Sequence, residues 1–169
     1  AEPAKKLFKE TQTPRQYLEL LGQNQLWMDA VKFLAFALPK REGVWWACLC
    51  ARLPGTKPLP PAHQQVLQAT EKWVSDGSDE SRRAAYTAAE LAKFDNPAST
   101  AALAAFFSAG SIVPANLPAV APADDVAPQA VAGSIILAAV SDEPTKIAER
   151  YKKFFTLGCD VASGTNKWK

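Results

Sequence analysis

Apolar residues recur along this chain at steps of three and four, and no segment alternates apolar with polar positions over a strand length, so the pattern predicts an all-α fold. The first helix begins at Thr13-Pro14, where Thr13 suits the N-cap and Pro14 the first helical position. Tyr17, Leu18 and Leu21 form its apolar face, and Gly22 ends it. A second helix is expected from Asn24 to Ala37, with Leu26, Trp27, Ala30, Val31, Leu34 and Leu38 facing inward. Pro39 disfavours helical backbone at Leu38 and then opens the next helix, which makes Leu38-Pro39 a tight corner. The third helix, Lys40 to Leu53, is apolar almost all round after Gly43, the pattern of a helix enclosed by others.

Pro54 to Pro61 reads as a stiff extended loop. Helix four, Pro61 to Ser75, turns Val66, Leu67, Trp73 and Val74 inward and is closed by Asp76-Gly77. Ser78 caps helix five, with Ser81 at the third position, and alanines at 84, 85, 88, 89 and 92 allow close approach of neighbours. Asp95-Asn96-Pro97 separates its end near Phe94 from helix six, Ala98 to Ala109. From Gly110 to Pro128, prolines at 114, 118, 122 and 128 exclude a helix and predict a long extended connector lying on the helices. Helix seven, Pro128 to Val140, is apolar on every side, with Gly133 for a close crossing. Helix eight, from Pro144 to about Leu157, carries the stripe Ile147, Tyr151, Phe154 and Phe155.

The expected organisation is a single compact domain of about eight helices over residues 13–164, with the proline-rich connector before the last two. Residues 1–12 are expected to form a flexible arm and residues 165–169 a fraying tail. Short loops favour antiparallel neighbours in a stacked α-hairpin arrangement, without a sequence period that would mark true repeats.

Composition narrows the chemistry. With 169 residues, 48% hydrophobic and 21% charged, the chain is an ordinary folding domain. A net charge of +2 gives no global field for nucleic acid or an anionic membrane. The longest apolar runs fall short of the roughly 20 residues that span a bilayer, so no membrane insertion is expected. Three cysteines make an odd count, and Cys48 and Cys50 point to opposite sides of one helix; no disulfide framework is expected, which favours a reducing, cytoplasmic compartment. The start Ala1-Glu2-Pro3 fits either leader cleavage or trimming, and cysteine usage favours trimming.

No motif dictates a reaction. Cys48-x-Cys50 has the wrong spacing for zinc and only Cys159 and His63 to complete a site, so burial is the expected role and neither a metal nor a cofactor is predicted. His63, the sole histidine, stands at a helix start without a nucleophile elbow elsewhere. Asp76, Asp79, Glu80, Asp124 and Asp125 sit where capping and helix dipoles account for acids. The adjacent Trp45 and Trp46 diverge by about 100° on a helix and are read as packing residues. The basic pairs Lys40-Arg41, Arg82-Arg83 and Lys152-Lys153 are dispersed and read as solvated faces.

The stretch Phe33-Leu34-Ala35-Phe36-Ala37-Leu38-Pro39-Lys40-Arg41-Glu42-Gly43-Val44-Trp45-Trp46-Ala47-Cys48, with Ala84 to Glu90 and Leu117 to Val120, resembles a family of small uncharacterised bacterial proteins, over about Tyr17 to Gly164. Such proteins are similar to ones encoded near type VI secretion genes, which implies an accessory or adaptor role and carries over no catalytic residues. The resulting expectation is a non-enzymatic bacterial protein–protein interaction module, an accessory factor, chaperone or adaptor whose partner is a secretion-system component or effector. Ile112, Val113, Leu117, Val120 and Val126 of the connector are the expected contact residues. Two alternatives stand beside it. One is an enzyme with a carboxylate and histidine site, which requires a concave pocket joining His63 to at least two acids. The other is a nucleic-acid binder using the terminal lysines and helix eight.

Overall fold

The computed structural model describes residues 2–53, 55 and 57–168. Among these the chain is all-helical: α1 (Glu2–Leu7), α2 (Pro14–Gln23), α3 (Trp27–Ala37), α4 (Lys40–Arg52), α5 (Pro61–Asp76), α6 (Asp79–Leu91), α7 (Pro97–Phe106), α8 (Val126–Val140) and α9 (Ile147–Ala162), with a 3-10 turn at Pro144–Lys146 leading into α9.

Local chemistry sets most of the boundaries. Thr13 and Gln16 form a reciprocal capping box at the start of α2, with Pro14 behind the cap. Leu38 is extended (φ −76°, ψ 145°), as its following proline demands, and the corner opens directly into α4. Gly77 ends α5 in the left-handed conformation (φ 65°), and Ser78 at once caps α6 through the Ser81 N–H. Asn96 caps α7 through the Ser99 N–H. α6 ends at Leu91, three residues before the expected end near Phe94, because Lys93 takes a positive φ of 65° and turns the chain.

α4 is the axis of the domain, enclosed by α5, α7, α8 and α9. Val44, Trp46, Ala47, Cys48 and Cys50 are all buried. Burying side chains of valine or leucine size stabilises by roughly 1.5–3 kcal/mol each. α8 fills the trough between α3, α4 and α7, while α6 lies outside against α5 and α7. Contacts such as α3 with α9 and α4 with α8 join distant parts of the chain, so the helices wrap a central member instead of stacking as a solenoid. The core is one cluster, with a satellite of Ala4, Leu21 and Ala30 beside Tyr17, Phe33 and Phe155.

Residues near both ends contact the rest of the domain. The arm contains α1, whose Ala4 is buried and whose Ala4 carbonyl accepts a 2.9 Å hydrogen bond from the Tyr17 hydroxyl. The tail is held at Trp168, which packs on the core beneath the Arg41 guanidinium (5.1 Å), and at Asn166, whose Oδ1 accepts from Trp45 Nε1 (3.1 Å). α9 runs five residues beyond Leu157, through a buried Gly158. Gly133 needs no glycine for packing, since a Cβ there would meet only Thr100 at an ordinary 3.7 Å. Of the loop expected at 54–61, Pro54 and Thr56 lie outside the described residues, as do Ala1 and Lys169 at the ends.

Candidate functional site

The connector is built onto the domain by two arginines. Arg82 is buried with its neighbours Ala85 and Ala89 on the inner face of α6, and its guanidinium stacks on Phe106 (4.7 Å). Nη1 donates to the Phe106 carbonyl (2.6 Å) at the end of α7, Nη2 to the Ser111 carbonyl (2.8 Å), and Nε to Asp79 (2.9 Å). Arg83 adds bonds to the Ser111 and Val113 carbonyls (3.1 and 3.0 Å) and pairs with the other Asp79 oxygen (2.8 Å). The pair read as a solvated face is a clamp. A signal was present in Asp79, three and four residues before the arginines, and in the spacing of Arg82 to Ala85 and Ala89.

Beyond the clamp the connector doubles back: Ile112 N–H donates to the Val120 carbonyl (2.9 Å), and Ser111 Oγ accepts from the backbone of Val113 and Val120 (3.3 and 3.1 Å). Four of the expected contact residues are therefore gathered in one loop. Ile112 and Val113 are half-buried, whereas Leu117 and Val120 are exposed. Val126 belongs instead to the first turn of α8 and is half-buried.

Where the connector enters α8 the surface is hollow. A cavity of about 260 Å³ lies between the α3–α4 corner and the start of α8, walled by Phe36, Leu38, Gly43, Pro128 and Val131. Lys40 and Asp124 form a 3.4 Å ion pair at this hollow. Phe36 is 54% exposed, and at the other end of α8 Leu137 and Val140 are exposed too. An apolar wall with a charged rim is suited to holding an apolar side chain from a partner.

A larger cleft of about 560 Å³ opens where the ends of α4 and α8 meet the starts of α5 and α7 and the flank of α9. Its lining includes His63, Asp95, Asp142, Arg150 and Lys153, which is the grouping the enzyme alternative requires. No orienting bond for a histidine base is present among the described residues: His63 is half-buried and makes no side-chain hydrogen bond there. Arg150 is fixed by donating to the Ala139 and Glu143 carbonyls (2.7 and 2.8 Å) at the end of α8. The arrangement offers donors to a ligand.

The remaining candidates have packing roles. Cys48 and Cys50 are free and buried, and desolvation pushes both thiols above their ordinary range, which disfavours the thiolate. Cys159 is half-buried and shifted the same way, first by burial and then by Asp160. Among the described residues no three histidine, cysteine or acidic side chains are grouped to hold a metal ion. Asp76 accepts from the Ser78 N–H, Ser81 hydroxyl and Lys72, and Asp125 from Gln129. Arg41 donates to the Val74 and Ser75 carbonyls at the end of α5. No helix among the described residues is long and apolar enough to cross a membrane.

These features define an all-helical single-domain protein wrapped around an enclosed fourth helix. Residues 17–162 match the model of a family of unknown function, DUF6931, and the chain belongs to that family. No curated protein and no solved structure matches it.

Proposed function

We propose that this protein is a non-enzymatic accessory factor, an adaptor or chaperone that binds a component or effector of a bacterial type VI secretion system in the cytoplasm. The observation that carries the reading is the origin of the apolar hollow. The stretch Phe33 to Cys48, on which the resemblance to secretion-associated proteins rests, also supplies Phe36, Leu38, Lys40 and Gly43 to that hollow. Most of this stretch is core, but Phe36 is turned outward beside the cavity, where a partner's side chain could pack on it. The partner is accordingly an amphipathic segment that inserts one apolar side chain between Phe36 and Val131 and meets Lys40 and Asp124 with polar groups. Leu117 and Val120 are exposed on the loop that the arginine clamp ties down at Ser111 and Val113.

Crosslinking and mass spectrometry in the native bacterium, with wild-type protein beside Phe36→Asp, tests the reading. The expected result is a secretion-system protein crosslinked near the hollow and lost in the variant, with the helical circular dichroism unchanged. Equal recovery by both proteins, or recovery of no secretion component by either, overturns it.

A further inference from the structure

The cleft at the converging helix ends has a chemical character separate from the apolar hollow. Its volume, about 560 Å³, is that of a small-molecule site. Apolar walls come from Ala51, Leu59, Ala138 and Phe154, and ionisable groups stand around them.

Those groups are not equally available. Lys153 is paired with Glu149 (2.9 Å), and Asp142 is engaged as well. Arg150 spends Nε and one Nη2 hydrogen on backbone carbonyls, so its Nη1 is without a protein partner among the described residues. Lys57, His63 and Asp95 also have no partner there. The lining thus carries three cationic side chains and an imidazole against the two carboxylates Asp95 and Asp142, and of the cations Lys57 and Arg150 have donors to spare.

The backbone adds to the same sign. The start of α5, at Pro60, has no side-chain cap, and Pro60 and His63 both line the cleft. Helix starts carry partial positive charge and unpaired N–H groups. We propose that this cleft binds a small organic anion, through a carboxylate or phosphate group held by Arg150, Lys57 and His63, with the carbon skeleton against Leu59 and Phe154. Arg150 is the anchor, because its position is already fixed by the carbonyls ending α8 and little further ordering is needed on binding.

Nitrogen-15 amide spectra of the full chain, titrated separately with inorganic phosphate and with succinate at constant ionic strength, test the proposal. The expected result is saturable shifts at Ala62, His63 and Ala98 and at Arg150 Nε in at least one titration, and the titration that saturates identifies the anionic group. The double variant Lys57→Ala, His63→Ala, which leaves the α8-capping Arg150 in place, should bind about tenfold more weakly, about 1.4 kcal/mol. Non-saturating shifts with both anions, or unchanged affinity in the double variant, overturn it. Because Phe36 does not line this cleft, Phe36→Asp should leave the titration unaltered, which separates this inference from the protein-binding reading.

Discussion

Trp46 donates its indole N–H to the Phe154 carbonyl across the centre of the domain, at 2.7 Å, and it does so over Gly158, one turn further along α9. A Cβ on Gly158 would lie 2.5 Å from Leu34 Cδ2 and 2.6 Å from Trp46 Cε2, both buried. The missing side chain is what lets the indole lie against the helix. Gly158→Ala, which would ordinarily favour a helix, is expected to destabilise by about 1–3 kcal/mol through overpacking. Urea unfolding of the variant checks this, and a gain in stability would contradict the packing.

The two buried tryptophans make a matched comparison. Trp73 is also buried, but its Nε1 has no hydrogen-bond partner among the described residues. Replacing either by phenylalanine removes similar volume, while only Trp46→Phe also breaks a hydrogen bond. Trp46→Phe should therefore cost about 0.5–1.5 kcal/mol more than Trp73→Phe in chemical denaturation.

Arg82→Met tests the clamp. The substitution leaves the Phe106 carbonyl without its side-chain donor, and the Ser111 carbonyl and Asp79 with Arg83 alone. Breaking a buried, hydrogen-bonded charge pair costs about 3–5 kcal/mol, and Arg82 is 1% exposed although Asp79 faces solvent, so the lower end is expected. Amide exchange at Ile112 and Val120 should accelerate more than exchange in α2, because the connector loses one of its two arginine tethers and keeps only Arg83.

Lys93→Gly is predicted to stabilise. Lys93 ends α6 at φ 65°, where a side chain is strained and glycine is not. The expected gain is about 0.5–1 kcal/mol, read as a rise in the thermal midpoint.

Acid should weaken the α5–α6 junction first. Hydrogen bonds from the Ser81 hydroxyl, the Ser78 N–H and Lys72 hold the Asp76 carboxyl well below the usual carboxylate range, and Arg83 and then Arg82 lower Asp79. A carboxyl depressed in the folded state binds protons more readily when unfolded. Its contribution is complete above the unfolded value near pH 4 and is lost as pH falls through the folded one. The denaturation midpoint should fall below about pH 4, with a shallower fall in Asp76→Asn.

Features set by neighbours in the sequence were legible from it. Thr13-Pro14, Leu38-Pro39, Gly77-Ser78 and the near-continuous apolar run after Gly43 each act within a turn or two, and the structure places a cap, a corner, a left-handed stop and an enclosed helix there. Partners far along the chain left no such trace. Ala4 is buried in a cluster with Leu21 and Ala30 and bonded by Tyr17, and Trp168 packs on the core beneath Arg41, in each case through residues distant along the chain. The same holds for the candidate sites: the cleft is assembled from Lys57, His63, Asp95 and Arg150, which no local spacing links. The hollow is half legible, since Phe36 to Gly43 is contiguous while Pro128 and Val131 arrive on another helix.

α8 enters the molecule late, into a trough whose walls α3, α4 and α7 all precede it on the chain. During synthesis those walls are complete when Phe106 has been added, yet the helix that covers them is finished only at Val140. At about 5–20 residues per second the nascent chain carries an open apolar trough for roughly 2–7 seconds. The proline-rich connector occupies most of that interval. Its length therefore sets the time in which another hydrophobic segment can compete with α8 for the trough as the protein is made.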